Sequence, residues 1–439
     1  MKNQNTFQII FLAVFGIMII VGTLAFSGYL PGLSSGKSGA SGTVSVWGTF
    51  SDTSLSPVLS ALHQKFGNNI YIQYKQKDTL RFDTELVEAL ASGAGPDLII
   101  IPDTLIARHQ NKIAEESFTT TPLRTYLDTF VDGANIFLTQ TGILAYPLVA
   151  DPLVLYYNKD ALARAGYADT PHYWSQLIDG SMGESPLSRL TQIDERGNVL
   201  ESAIGLGDYG NVDHSKDIVA LLILQSGNPI VVRTSDGVLQ TTLSTKEDKF
   251  QSEAAVNFFT QFSNPAKTTY TWNSSLPASR VLFGTGKLAL YVGFASEYST
   301  ITAQNAHLNF DVAEVPQRDA TRKVTTGRLY GIARMKQSKN PAAALIIERA
   351  FADRDVSELF AGQVGLPTLR RDVLNESTAD PNLAVYNKAA IALQSWYDPN
   401  PTMSDTIFGT MIQSTLTGQV SASQAVDRAS VELSSLLKK

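Results

Sequence analysis

The reactive residues of this chain are informative first for what their spacing does not allow. Five histidines, His63, His109, His172, His214 and His307, are scattered and show no H-x-x-x-H or H-E-x-x-H pattern, so no metal-ligand pair is indicated. The chain has no cysteine. Disulfides, thiolate zinc sites, iron–sulfur clusters, a thiol nucleophile and lipid attachment through an N-terminal cysteine are thereby removed. Gly32-Leu33-Ser34-Ser35-Gly36 matches G-x-S-x-G, but an apolar run precedes it and a Gly/Ser stretch follows, where a nucleophile elbow needs a strand and a helix. Gly284-x-Gly286-x-x-Ala289 is half a dinucleotide fingerprint placed before a β-prone stretch, and no G-x-x-x-x-G-K-S/T loop is present. No catalytic residue, cofactor or metal is therefore expected, although the many Asp and Glu leave paired-carboxylate glycoside hydrolysis as a formal alternative. What the chain does offer is 16 Tyr and 4 Trp. Such rings are available for stacking, but their number identifies no ligand.

The elements that must position such residues are legible in the patterning. At 439 residues the chain is long enough for two or three compact units, at roughly 100–200 residues each. Lys+Arg number 35 against 41 Asp+Glu, a net charge of −6, so there is no basic excess to bind nucleic acid. Thr43 to Trp47 alternates as a strand, and Leu55, Val58, Leu59, Leu62 and Phe66 fall on one helical face. Ile70 to Tyr74 reads as a second strand, Arg81 to Ser92 as a second helix, and Asp97 to Ile101 as a strand buried on both faces. This β-α-β-α-β order argues for an open α/β sheet, whose ligands sit beyond the carboxyl ends of the strands. Trp47 to Asp52 and Ile101 to Thr104 are the segments so placed. Further on, Leu153 to Tyr157 is β-prone, and helices are expected over Ser215 to Gln225, Asp248 to Phe262, from Asn340-Pro341, and over Ser421 to Lys439.

Ile9 to Phe26 is an uncharged apolar run of 18 residues preceded by Lys2. At about 1.5 Å per residue it approaches the length needed to cross a bilayer core of about 30 Å. The expectation is a retained transmembrane anchor over 9–26, with residues 1–8 cytoplasmic and the rest outside; a cleaved signal is the alternative. The Gly- and Ser-rich stretch within 27–43 reads as a flexible tether.

Six segments in order resemble the extracellular solute-binding proteins of ABC importers, specifically the carbohydrate-type family that includes maltose-binding protein. The fullest match is Tyr146-Pro147-Leu148-Val149-Ala150-Asp151-Pro152-Leu153-Val154-Leu155-Tyr156-Tyr157-Asn158-Lys159-Asp160, similar to the family's hinge-strand signature. Gly95-Pro96-Asp97-Leu98, Phe283 to Leu290, Thr326 to Ala333, Lys339 to Ala344, and Gly418 with Ser421 to Ala425 resemble other family segments. The lipid-attachment cysteine usual in Gram-positive members is absent, and the P-x-T-W motif is altered to Pro171-His172-Tyr173-Trp174.

The resemblance implies an α/β two-lobe fold of the periplasmic-binding-protein type II kind, with a hinge, behind the N-terminal transmembrane helix. Lobe 1 would comprise 44–150 and 314–352, and lobe 2 would comprise 151–313 and 353–439. Chain crossings are expected near Asp151–Tyr156, near Val312–Pro316 and after Phe351. Implied partners are a small solute, most readily a saccharide, and the subunits of an ABC permease; the membrane is met through the N-terminal helix, and a monomer is expected. A tethered solute-sensing receptor of the same fold, or a non-sugar solute, is the alternative.

The candidate ligand residues follow from both readings. Trp47, Thr49 and Asp52 come after the first strand, and Asp103 and Thr104 after the third. Asp151 matches the family's acidic hinge position, with Tyr156 beside it, and Trp272 lies where the family often faces its cleft. Phe294 and Ser296 occupy the loop after Leu288–Val292. Arg328 and Tyr330 sit in a Gly-rich segment near the cleft, Trp396-Tyr397 is a possible platform, and Tyr209 is a loop aromatic.

Overall fold

The structure, a computed structural model, describes residues 41–180, 183–246 and 251–438. The expected anchor at 9–26 and most of the tether lie outside them. Among the described residues no helix is long and apolar enough to cross a membrane.

The first lobe begins as its pattern demands. Strand β1 (Gly42–Gly48) buries Val44 and Val46, and helix α1 (Asp52–Phe66) buries Leu55, Val58 and Leu62 against it. Ser51 starts that helix by accepting the Ser54 N–H on its side chain, which satisfies one of the orphan donors of the first turn. Strand β2 (Ile70–Gln76), helix α2 (Phe82–Ala91) and strand β3 (Leu98–Pro102) complete the unit, with β1 parallel to both β2 and β3. Asp97 at the head of β3 is buried and tied to Ser45, Ser338 and the Lys339 N–H. Burial alone would raise its carboxyl, but these donors hold it below the usual carboxylate range. This acid staples the sheet to helix α5 (Pro341–Ala352), which follows.

Strand β4 (Tyr146–Asn158) belongs to both lobes. The remaining strands of this sheet are β5 (Gln192–Ile193), β6 (Val199–Ile204), β7 (Leu288–Phe294), β8 (Phe310–Ala313) and β9 (Gly327–Arg334), giving the order β2-β1-β3-β9-β4-β7-β6-β5 with β8 also on β4. β9 pairs antiparallel with Tyr146 to Pro152 of β4, whereas β7 and β8 pair with Leu153 to Asn158. The partners change at Pro152. A proline has no N–H for the ladder, so it suits the residue where one sheet stops and the other begins, and Pro147 likewise sits beside the bulge at Tyr330/Gly331.

Three chain crossings lie side by side at this point. The Leu153 N–H donates to the Thr326 carbonyl at 2.8 Å, the Thr325 N–H to Ala392 at 3.0 Å, and the Gln394 N–H to Thr325 at 2.8 Å. The first runs along β4 through Pro152, where the strand's partners change. The second corrects the expectation of Val312–Pro316: residues 314–324 stay with the second lobe, because Gln317 exchanges backbone bonds with His172 and Trp174 and Gln225 donates to the carbonyls of Pro316 and Val324. The third falls at Ala392–Gln394, later than the expected boundary at 353. Helix α6 (Arg354–Val364) packs on α1, and Leu369 bonds to Leu148 and Val131, so this segment belongs to the first lobe.

The second lobe is built on α3 (Ser215–Gln225), α4 (Ser252–Thr260), α8 (Pro401–Leu416) and α9 (Ala422–Leu437), while α7 (Pro381–Ile391) lies behind β4 and β8. Helix α3 is apolar on nearly all sides and is correspondingly buried.

Candidate functional site

The floor of the gap between the lobes is the switch point of β4. Asp151 is buried at 3% exposure, and its two oxygens accept the Ser296 N–H at 2.9 Å and the Ser296 hydroxyl at 2.7 Å. Burial raises this carboxyl above its ordinary value, while Ser296 and Arg328 pull the other way. Arg328, on the β9 strand beside Asp151, lays its guanidinium 4.0 Å from the ring centre of Phe294 at the end of β7. Both contacts join the lobes close to the point where the partners of β4 change.

On the first-lobe wall, Asp103 follows β3 and accepts the Leu329 N–H at 3.1 Å. Protein surrounds it on most sides, and burial, with Asp217 of α3 adding a like charge, pushes it up to about 7. Thr104 is half-buried beside it and gives its backbone N–H to the same carboxylate. Tyr330 meets Phe50 edge-to-face at 4.9 Å, and burial raises its hydroxyl to about 12. Trp47 and Thr49 are half-buried. The Lys77 ammonium sits 3.6 Å over the Trp47 ring and pairs with Glu85 at 2.7 Å, so a protein cation already covers that face. Asp52 is exposed in the first turn of α1, where a carboxylate complements the helix dipole.

On the second-lobe wall, Tyr209 donates its hydroxyl to Asp405 at 2.7 Å. Trp396 is half-buried and stacks on Phe408 at 5.8 Å, with Lys216 5.6 Å from its ring; Lys216 is itself paired to Asp398 at 2.5 Å. The Tyr397 hydroxyl accepts from Gln110 of the first lobe at 3.0 Å. Beneath this wall Glu297 is buried. Its burial alone would raise it, but His214 at 2.7 Å and Tyr291 at 2.6 Å, with Arg280 nearby, hold it below the carboxylate range. Gly293 leaves the space for that cluster: a Cβ there would lie 2.4 Å from Glu297 and from Tyr291.

Three expected site residues are placed in the core instead. Tyr156 is 0% exposed and gives its hydroxyl to the carbonyls of Phe294 and Ala295, because the second half of β4 is covered on both faces. Trp272 is likewise fully buried, its ring nitrogen donating to Asn211 at 2.7 Å. Phe294 is buried too, under the Arg328 guanidinium.

The gap brings together residues that the patterning did not single out: Phe50, Gln110, Lys216, Asp217 and Asp398. Phe50 lies inside the flagged segment after β1, and Asp217 in the first turn of an expected helix, so both were within reach of the sequence. Gln110 carries no such signal. At the rim a groove of about 540 Å³ opens between Leu105, Arg108, Gln110 and Asn111 on one lobe and Tyr397, Asn400 and Leu239 on the other. Among the described residues no cluster of three or more His, Cys, Asp or Glu is arranged to hold a metal ion. The arrangement offers hydrogen bonds and ring faces from two bodies at once, which is a means of binding.

Known proteins share this architecture. A family described as bacterial extracellular solute-binding protein matches residues 61–385. The cyclic α-maltosyl-1,6-maltose binding protein from Arthrobacter globiformis is 17% identical, with 91% of this chain and 99% of that one covered at a TM-score of 0.72. A cyclo/maltodextrin-binding protein complexed with maltotetraose is 14% identical, with coverage of 91% and 98% and a TM-score of 0.71. The sugar-binding protein MalE from Xanthomonas citri is 15% identical, with coverage of 90% and 98% and a TM-score of 0.69. At these identities the likeness to the three structures is one of fold.

Proposed function

The chain belongs to the family of bacterial extracellular solute-binding proteins, and we propose that it captures a saccharide between its lobes and delivers it to the permease of an ABC importer. The observation that carries the reading is the composition of the gap. Tyr330, Phe50, Tyr209 and Trp396 supply ring surface, and Asp103, Arg328, Gln110 and Asn111 supply planar polar groups, from both sides of one hinge. Sugars present matching C–H faces and hydroxyls. A solute that touches both lobes binds the closed arrangement better than the open one and shifts the population towards it.

In this reading Asp103, Thr104, Arg328, Tyr330, Tyr209, Trp396 and Tyr397 meet solute. Asp151 and Ser296 act on it through the hinge, and Trp47 supports the wall under Lys77. Ile9–Phe26 holds the protein at the outer face of the membrane, and the Gly/Ser stretch lets it reach the permease. Fractionation with N-terminal sequencing tests the anchor: a chain starting after Phe26 and recovered free of membranes overturns it.

The capture itself is tested by thermal unfolding against mono- and oligosaccharides, with polyols, amino acids, polyamines and phosphate esters as controls. A ligand at about 100 times its Kd adds roughly 2.7 kcal/mol to the native state, a clear rise in Tm. A shift only among the controls keeps the binding role and overturns the sugar.

A further inference from the structure

A short hairpin of the second lobe, Val231–Arg233 paired with Leu239–Thr241, reaches across to the first. At its tip Gly237 has φ +87° and rests on the side chain of Gln140, so closely that a Cβ on Gly237 would lie 2.7 Å from the Gln140 amide. Leu239 enters the rim groove beside Tyr397, whose hydroxyl is held by Gln110. The two lobes therefore touch along one end of the gap through groups that belong to the protein alone.

The base of the hairpin is built to aim it. Ile230 is fully buried with φ +66°, a left-handed conformation that a β-branched residue adopts only when its surroundings enforce it. Those surroundings are specific. The Asn228 side chain accepts the Ile230 N–H at 2.8 Å and donates to the Thr242 carbonyl at 2.7 Å and to Ser252 at 3.0 Å. The Thr242 N–H and Thr241 hydroxyl both end on the Ile230 carbonyl, at 2.9 and 2.8 Å. A strained residue locked by a buried network at the root of a projecting hairpin fixes where its tip goes.

We propose that the hairpin is a cross-lobe strap, which favours the closed arrangement of the lobes independently of any solute. It sets the starting population on which solute acts, so it tunes affinity without touching the solute. The contact does not depend on the sugar reading.

The absence of native cysteine makes the test direct. Tyr71→Cys in β2 and Leu200→Cys in β6, exposed positions on opposite lobes, carry spin labels in the full chain, and their separation is measured by pulsed electron resonance without solute. Two variants are compared with the parent: Gln140→Ala, and a hairpin in which Thr234–Val238 is replaced by a two-residue Asn-Gly turn. The expected result is a longer distance whose population grows about 3- to 10-fold, the weight of a handful of lost packing contacts. Unchanged distance distributions in both variants overturn the strap. If the shortened hairpin does not fold, Gln140→Ala decides alone, by growth of the longer distance or its lack. Because no solute is added, a failed sugar screen leaves this result standing.

Discussion

Ser296 gives both its backbone N–H and its hydroxyl to the two oxygens of Asp151, so an acid of the hinge strand is satisfied by the loop that follows β7. The pair spans the junction between the two sheets. A free carboxylate at that depth would be costly, and Ser296 offsets part of that cost. Asp151→Ala leaves the Ser296 donors without their acceptor and is expected to lower unfolding stability by about 1.5–3 kcal/mol. Ser296→Ala, which keeps the backbone bond, should cost less. Urea unfolding of both variants checks the order; equal losses would show that the backbone bond carries nothing.

Arg328 and Phe294 form the other junction contact. A half-exposed guanidinium over a buried ring is worth about 0.5–2 kcal/mol. A double-mutant cycle with Arg328→Gln and Phe294→Leu should therefore return a coupling of about that size. Additive losses would mean that the stacking is geometric only.

In the proposed site Trp396 is the tryptophan that would report on solute. Trp272 and Trp174 are buried, and Lys77 covers Trp47. A saccharide that binds should change the emission of the parent protein, and Trp396→Phe should abolish most of that change. A full-sized change in Trp396→Phe would move the ring contact to another wall.

Asp103 imposes a pH dependence. Its carboxyl is raised to about 7 in the folded chain, against about 3.9 when unfolded. Between those values the native state binds more protons than the unfolded one, so this group's stabilisation is complete below about pH 4 and lost as pH rises through about 7. Water still reaches the group, so the loss is on the order of 1 kcal/mol and not the full value of the shift. Asp103→Asn should flatten the stability profile between pH 4 and pH 7, approximately; an unchanged slope would assign it to another group.

How far the sequence could be read follows from the range of the interactions involved. The first β-α-β-α-β unit was legible because each element declares itself within its own residues: alternation in β1, the spaced apolar face of α1, the continuous run of β3. The dual role of β4 was signalled by two prolines in an otherwise apolar run. The second crossing was misplaced because residues 314–324 are held by Gln225 and His172, whose approach no local pattern announces. Aromatic residues were the least readable. Trp272 and Trp396 are the same residue type in similar loops, yet one is enclosed and the other is half-buried. The cation over Trp47 arrives from a neighbouring strand, by the pairing of β1 with β2.

The position of β9 between β3 and β4 has a consequence for the order in which the molecule can assemble. Strands β1 to β3 are complete at residue 102 and β4 at residue 158, but they do not touch; the strand that joins them ends at Arg334. As the chain emerges from the ribosome, the first lobe remains two unjoined pieces until about three quarters of the polypeptide exists. The second lobe waits longer, since α8 and α9 close it last. Long-range strand insertion of this kind is slow and leaves apolar edges open. A chain threaded this way can complete neither lobe until most of it has been made.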